Sequence, residues 1–139
     1  MSRHPLTWYV LTAATLLAWG QVHARDNGQW KYQSPDVAQY FATLMQPDNP
    51  AVSCCGAGDV YWADETETDA AGNLVAVITD TRPDGPLQRA HVPVGTRVII
   101  PPSKIRKHPI PNPTGHSIVF LGAFNEPPTL WCYEPQPLI

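Results

Sequence analysis

Apolar side chains at Val37, Tyr40, Phe41, Leu44 and Met45 follow the i, i+3, i+4, i+7, i+8 spacing of a helix with one face on a core. Ser34 suits the N-cap, Pro35 the first helical position and Asp36 the positive end of the dipole. Pro47 and Asn49-Pro50 stop it, so the spacing predicts a helix near residues 35–46. The period then changes to two. Val60 to Ala63, continued by Thr66 and Thr68, reads as a strand. Asp69 to Asn73 is a hairpin turn, and Leu74 to Thr79 is its β-branched partner. After the turn Arg82-Pro-Asp-Gly-Pro86, Leu87 to Val92 reads as extended and Thr96 to Ile100 as a strand. Pro101 to Ile105 begins one helical turn, and Lys107 to Pro113 is a proline-punctuated loop. Ser117 to Gly122 and Leu130 to Tyr133 complete the strands. The pattern predicts a β-rich α+β fold: one N-terminal helix packed on a small, mostly antiparallel sheet or open barrel.

The chain start changes the count. A short basic beginning, the apolar run Leu6 to Trp19 and the small-x-small site Val22-His23-Ala24 read as a signal peptide over residues 1–24. The run is shorter than the ~20 apolar residues that span a bilayer, so no stable membrane anchor is expected after cleavage. Residues 25–139 then form one small globular domain, periplasmic or secreted. Sixteen prolines, most of them after residue 82, require short strands joined by rigid turns.

The mature chain sets twelve acids against eight Lys and Arg. Ten of the acids fall within residues 26–84, whereas five bases and only two acids occupy 85–139. This is not the basic footprint of a nucleic-acid binder, and none is expected as a partner. The acidic run Asp64 to Asp69 lacks the spacing of a calcium loop, and Lys104 to His108 is a short basic patch. Both read as solvated surface. Trp62 and Trp131 are expected inside the core; Trp30, Tyr61 and Tyr133 are open between core and ligand groove.

The stretch Ser53-Cys-Cys-Gly-x-x-Asp59, with Ile78-Thr-Asp-Thr-Arg-Pro83, Val92-Pro-x-Gly-Thr96, Asn112-Pro-Thr-Gly-His116 and Cys132-Tyr133, resembles a set of small exported proteobacterial proteins. The likeness runs from about residue 30 to 135 and implies no activity. Members of that set can carry a further cysteine after the aspartate, where this chain has Val60.

Three cysteines in an exported chain predict one disulfide, Cys132 with Cys55 or Cys54, and one leftover thiol. Such a bond closes roughly 78 residues and contributes about 4 kcal/mol on the chain-entropy estimate. Adjacent cysteines fit tetrahedral zinc poorly, but a soft ion such as copper tolerates few ligands. The candidate metal site is therefore Cys54, Cys55 and His116, with Asp59 orienting the imidazole. The same residue types, a thiol with His116 as base, also suit thiol chemistry. The sequence points to an exported non-catalytic binding protein for a small ligand, a metal ion or a protein, with its site near the vicinal cysteines. The alternatives are a thiol-dependent enzyme or redox protein and a structural or interaction module.

Overall fold

A computed structural model describes residues 33–54, 59–107, 111–122 and 127–136. The expected signal peptide, Trp30 and Cys55 lie outside the described residues. The fold is α+β and β-rich: one main helix and two antiparallel three-stranded sheets. Helix α1 is Pro35–Ala42; strands β1 (Asp59–Trp62), β5 (Ile118–Gly122) and β6 (Thr129–Glu134) form the first sheet, in the order β1-β5-β6. Strands β2 (Glu65–Thr68), β3 (Leu74–Val77) and β4 (Arg97–Ile100) form the second, in chain order. Among the described residues no helix is long and apolar enough to cross a membrane.

The first sheet is covered on both faces, which is why all four residues Ile118 to Leu121 of β5 are buried. On one face Ile118, Phe120, Val60 and Cys132 pack against Tyr40, Phe41, Leu44 and Cys54. On the other, Val119, Leu121, Tyr61 and Tyr133 meet Ala76, Ile78, Val98 and Ile100 of the second sheet. Alternation along β5 thus feeds two cores at once.

Helix α1 is shorter than its apolar spacing predicts. Its last amides bond three residues back, Thr43 to Tyr40 at 3.0 Å and Leu44 to Phe41 at 3.2 Å, which tightens the final turn. Beyond it the backbone enters a small hairpin: Cys54 N–H donates to the Leu44 carbonyl at 2.9 Å and Gln46 N–H to that of Val52 at 2.8 Å. Leu44 still reaches the core, but Met45 turns outward and is 39 % exposed. Ser34 stands at the N-cap without a side-chain capping bond.

Two other expectations need correction. The strand predicted from Val60 through Thr68 is two strands in different sheets, because the chain crosses between them at Ala63-Asp64. The Arg82–Pro86 turn is a single helical turn, α2 (Asp84–Leu87), closed by Gln88 at φ 50°, so the stretch expected to be extended from Leu87 begins only after Gln88. The hairpin over Asp69–Asn73 is as expected, with the Asp69 carboxylate accepting the Ala71 and Asn73 amides at 2.9 and 2.8 Å and Gly72 at φ 83°. The short helical turn is a 3-10 turn at Pro102–Lys104.

Candidate functional site

The staple is Cys54–Cys132, with Cα atoms 5.7 Å apart and a sequence separation of 78. Both cysteines are fully buried. In this oxidised form neither Cys54 nor Cys132 has a thiolate for a metal or a substrate. The third cysteine, Cys55, lies outside the described residues.

His116 is held elsewhere. Cys132 pairs with Phe120 across the first sheet. His116 lies four residues upstream of Phe120, on the order of 13 Å along an extended chain. Its imidazole stacks on Trp62, with ring centroids 3.8 Å apart and planes 9° from parallel. Its Nδ1 meets Asp64 Oδ2 at 2.8 Å, while Ser117 N–H donates to Asp64 Oδ1 at 2.9 Å. The carboxylate that orients this ring is Asp64, in the role the sequence reading gave to Asp59. Asp59 pairs with Leu121 and shares the Tyr61 side of β1, opposite the face on which Val60 meets Cys54. Burial raises its carboxyl, against a weaker pull from the Ala90 amide and Arg89. Among the described residues no three His, Cys, Asp or Glu side chains gather as a metal site.

Beside Trp62 lies an ion network absent from the sequence reading. Arg82 stacks over the Trp62 ring at 3.8 Å and grips Asp80 through Nε at 2.9 Å and Nη2 at 2.6 Å. Arg89 has a side chain 3 % exposed and bonds Asp80 at 2.6 Å, Asp84 at 2.7 Å and the Val60 carbonyl at 2.7 Å. Burial opposes ionisation of Asp80, but the two guanidinium groups overcome it and hold its carboxyl well below the usual range. His91 Nδ1 meets the other Asp84 oxygen at 2.7 Å. These charges satisfy one another, so the network pins α2 to β1 and offers little unspent charge to a ligand.

The aromatics divide differently from expectation. Tyr61 and Tyr133 are the buried ones, and the Tyr61 hydroxyl donates to the Ala90 carbonyl at 2.6 Å. Trp62 and Trp131 sit at the edge of the helix-side core and are only partly buried.

The feature most like a ligand site is a groove of about 470 Å³. One wall is Met45, Gln46, Pro47 and Pro50, in the hairpin after α1; the other is Pro102, Ser103, Ile105, Arg106 and Lys107. Both walls hang on β6. The first ends at Cys54, stapled to Cys132, and is stiffened by the Met45–Ser53 bridge. The second pairs Ile105 with Tyr133, and Arg106 N–H donates to the Tyr133 carbonyl at 2.9 Å. Two contacts cross between the walls, Arg106 Nη1 to the Met45 carbonyl and Lys104 Nζ to Asp48 at 2.6 Å. Arg106 Nε also faces Glu134 Oε2 at 3.3 Å, and Glu134 is 2 % exposed. Burial pushes the Glu134 carboxyl up to about 7 even though Tyr40 and Arg106 favour its charged form. A smaller hollow of about 290 Å³ lies on the far side of Tyr40, between α1 and Pro111 and Pro113.

The lining is mixed, with Gln46, Ser103, Arg106 and Lys107 set among Met45, Ile105 and three prolines, and the volume is in the range of small-molecule sites. The groove is hidden in the sequence because Lys104-x-Arg106-Lys107 supplies only one wall, and the facing wall lies more than fifty residues away. The only signal was the density of prolines at 47, 50, 101 and 102. Comparison with protein-family models, curated proteins and solved structures finds no match to this chain.

Proposed function

We propose that this is an exported, non-catalytic binding protein that takes a small organic ligand in the groove between the Met45–Pro50 hairpin and the Pro102–Lys107 segment. The observation that carries the reading is the construction of the groove: a buried disulfide and a backbone bridge fix its two walls to one strand. A site fixed in this way binds without first ordering its walls, which lowers the entropic cost of association. The location is also adjacent to the vicinal cysteines, so the disulfide acts as scaffold for the site rather than as its chemistry. Export is supported by the signal-like residues 1–24, by the likeness to small exported proteobacterial proteins, and by a disulfide, which persists in oxidising compartments.

The test is a thermal-shift screen of small organic molecules against the oxidised protein and a groove-filling variant, Ser103→Trp. Ligands of the groove should raise the melting temperature of the native protein and lose that effect in the variant. Hits that stabilise both proteins equally would place the site elsewhere.

A further inference from the structure

We infer that the ligand of this groove is a small carboxylate-headed anion with an apolar body, and that its head takes Arg106 in exchange for Glu134, which gains a proton from solvent as the ligand arrives. This inference rests on the binding reading above and gives it a ligand class and a control. Both charged side chains that line the groove, Arg106 and Lys107, are cationic, while Met45, Ile105 and the prolines supply apolar wall. A planar guanidinium matches a carboxylate in two parallel hydrogen bonds, and a neighbouring lysine adds a point charge.

The exchange follows from where the counter-ion lies. Arg106 stands between the groove and a carboxylate that is almost wholly out of water. Among the described residues, the titratable groups around Glu134 are Tyr40 from α1, Arg106 from the opposite segment and Tyr133 beside it on β6. Arg106 supplies the positive charge. When an anion pulls that guanidinium toward the groove, Glu134 keeps its Tyr40 hydrogen bond but its pairing with the Arg106 charge weakens, which shifts this buried carboxyl further toward the neutral acid. In the other direction, protonating Glu134 releases Arg106 for the ligand.

The experiment titrates the purified oxidised protein with octanoate, octanol and octylamine by calorimetry at about pH 6 and about pH 8. With the Glu134 midpoint near 7, the competent protonated share falls from about nine-tenths to about one-tenth between those conditions, so octanoate should bind about tenfold more tightly at the lower pH. Octanol should bind more weakly than octanoate at the lower pH and show no pH dependence. Lys107→Gln, an exposed change, should weaken octanoate at both pH values by about threefold to tenfold and leave the pH ratio intact. Glu134→Gln should erase the pH ratio. Equal octanoate affinity at the two pH values, or octanol or octylamine binding as tightly as octanoate at the lower one, overturns the anion inference and leaves the groove reading standing. If none of the three probes binds, the carboxylate inference falls, and the groove reading is decided separately by the Ser103→Trp screen.

Discussion

Asp80 and Glu134 are two buried carboxyls with opposite fates, and the difference lies in how many cations reach each. Asp80 has no exposed side-chain surface and receives both Arg82 and Arg89; among the described residues, the cation shown at Glu134 is Arg106. Removing one partner of a buried pair leaves an uncompensated charge, so Arg89→Ala should lower stability by about 3–5 kcal/mol. Arg97→Ala removes an exposed pair with Glu67 and should cost less than about 1 kcal/mol. Urea unfolding of the two variants compares these costs directly; similar losses would mean the Asp80 network is not the electrostatic anchor of α2.

At the scale of elements, α1 is held by the face it buries and not by its cap. Ser34 makes no capping bond, so Ser34→Ala should change stability by less than about 0.5 kcal/mol, below the usual cost of losing an N-cap. Phe41 is 2 % exposed and meets Phe120 edge-on at 6.0 Å, so Phe41→Ala should cost about 3–5 kcal/mol. Chemical denaturation of both single variants separates packing from capping. The hairpin after α1 depends on its staple. Denatured, unreduced protein should titrate as one thiol and reduced protein as three, and reduction should cost about 4 kcal/mol. Three thiols at the outset would remove the staple and the groove wall that hangs on it.

Over the whole molecule, the two carboxyl fates fix a pH of greatest stability. Asp80 titrates in the native state below its unfolded value near 3.9, so its contribution is complete above that value and is lost as the pH falls. Glu134 titrates near 7 against an unfolded value of about 4.3. Its contribution is therefore present below about 4.3 and lost as the pH rises through about 7. Asp59, raised by burial, works in the same sense as Glu134. Urea midpoints should peak near about pH 5 and decline on both sides, and Glu134→Gln should flatten the alkaline side alone. A midpoint that climbs steadily to about pH 8 in the native protein would show that Glu134 is ionised without cost.

By itself the sequence determined what short-range physics controls. The apolar spacing from Val37 to Phe41, the Asp69–Asn73 turn and the β-rich run Ser117 to Gly122 each act within a few residues, and a helix, a hairpin turn and a strand form there, although the helix stops at Ala42, short of the predicted end. Three cysteines favoured a long-range pair on Cys132 without fixing it, and the tertiary structure joins Cys132 to Cys54 in the helix-side core. Tertiary structure decided everything that joins distant segments. A period of two does not say which sheet a strand enters, so the break between Trp62 and Glu65 was hidden. Asp64 finds His116 across 52 residues, and Arg106 finds the Met45 carbonyl across 61. Local propensity is silent about such meetings, because they depend on the three-layer stacking of α1 and the two sheets, and the groove and its buried counter-ion arise only there.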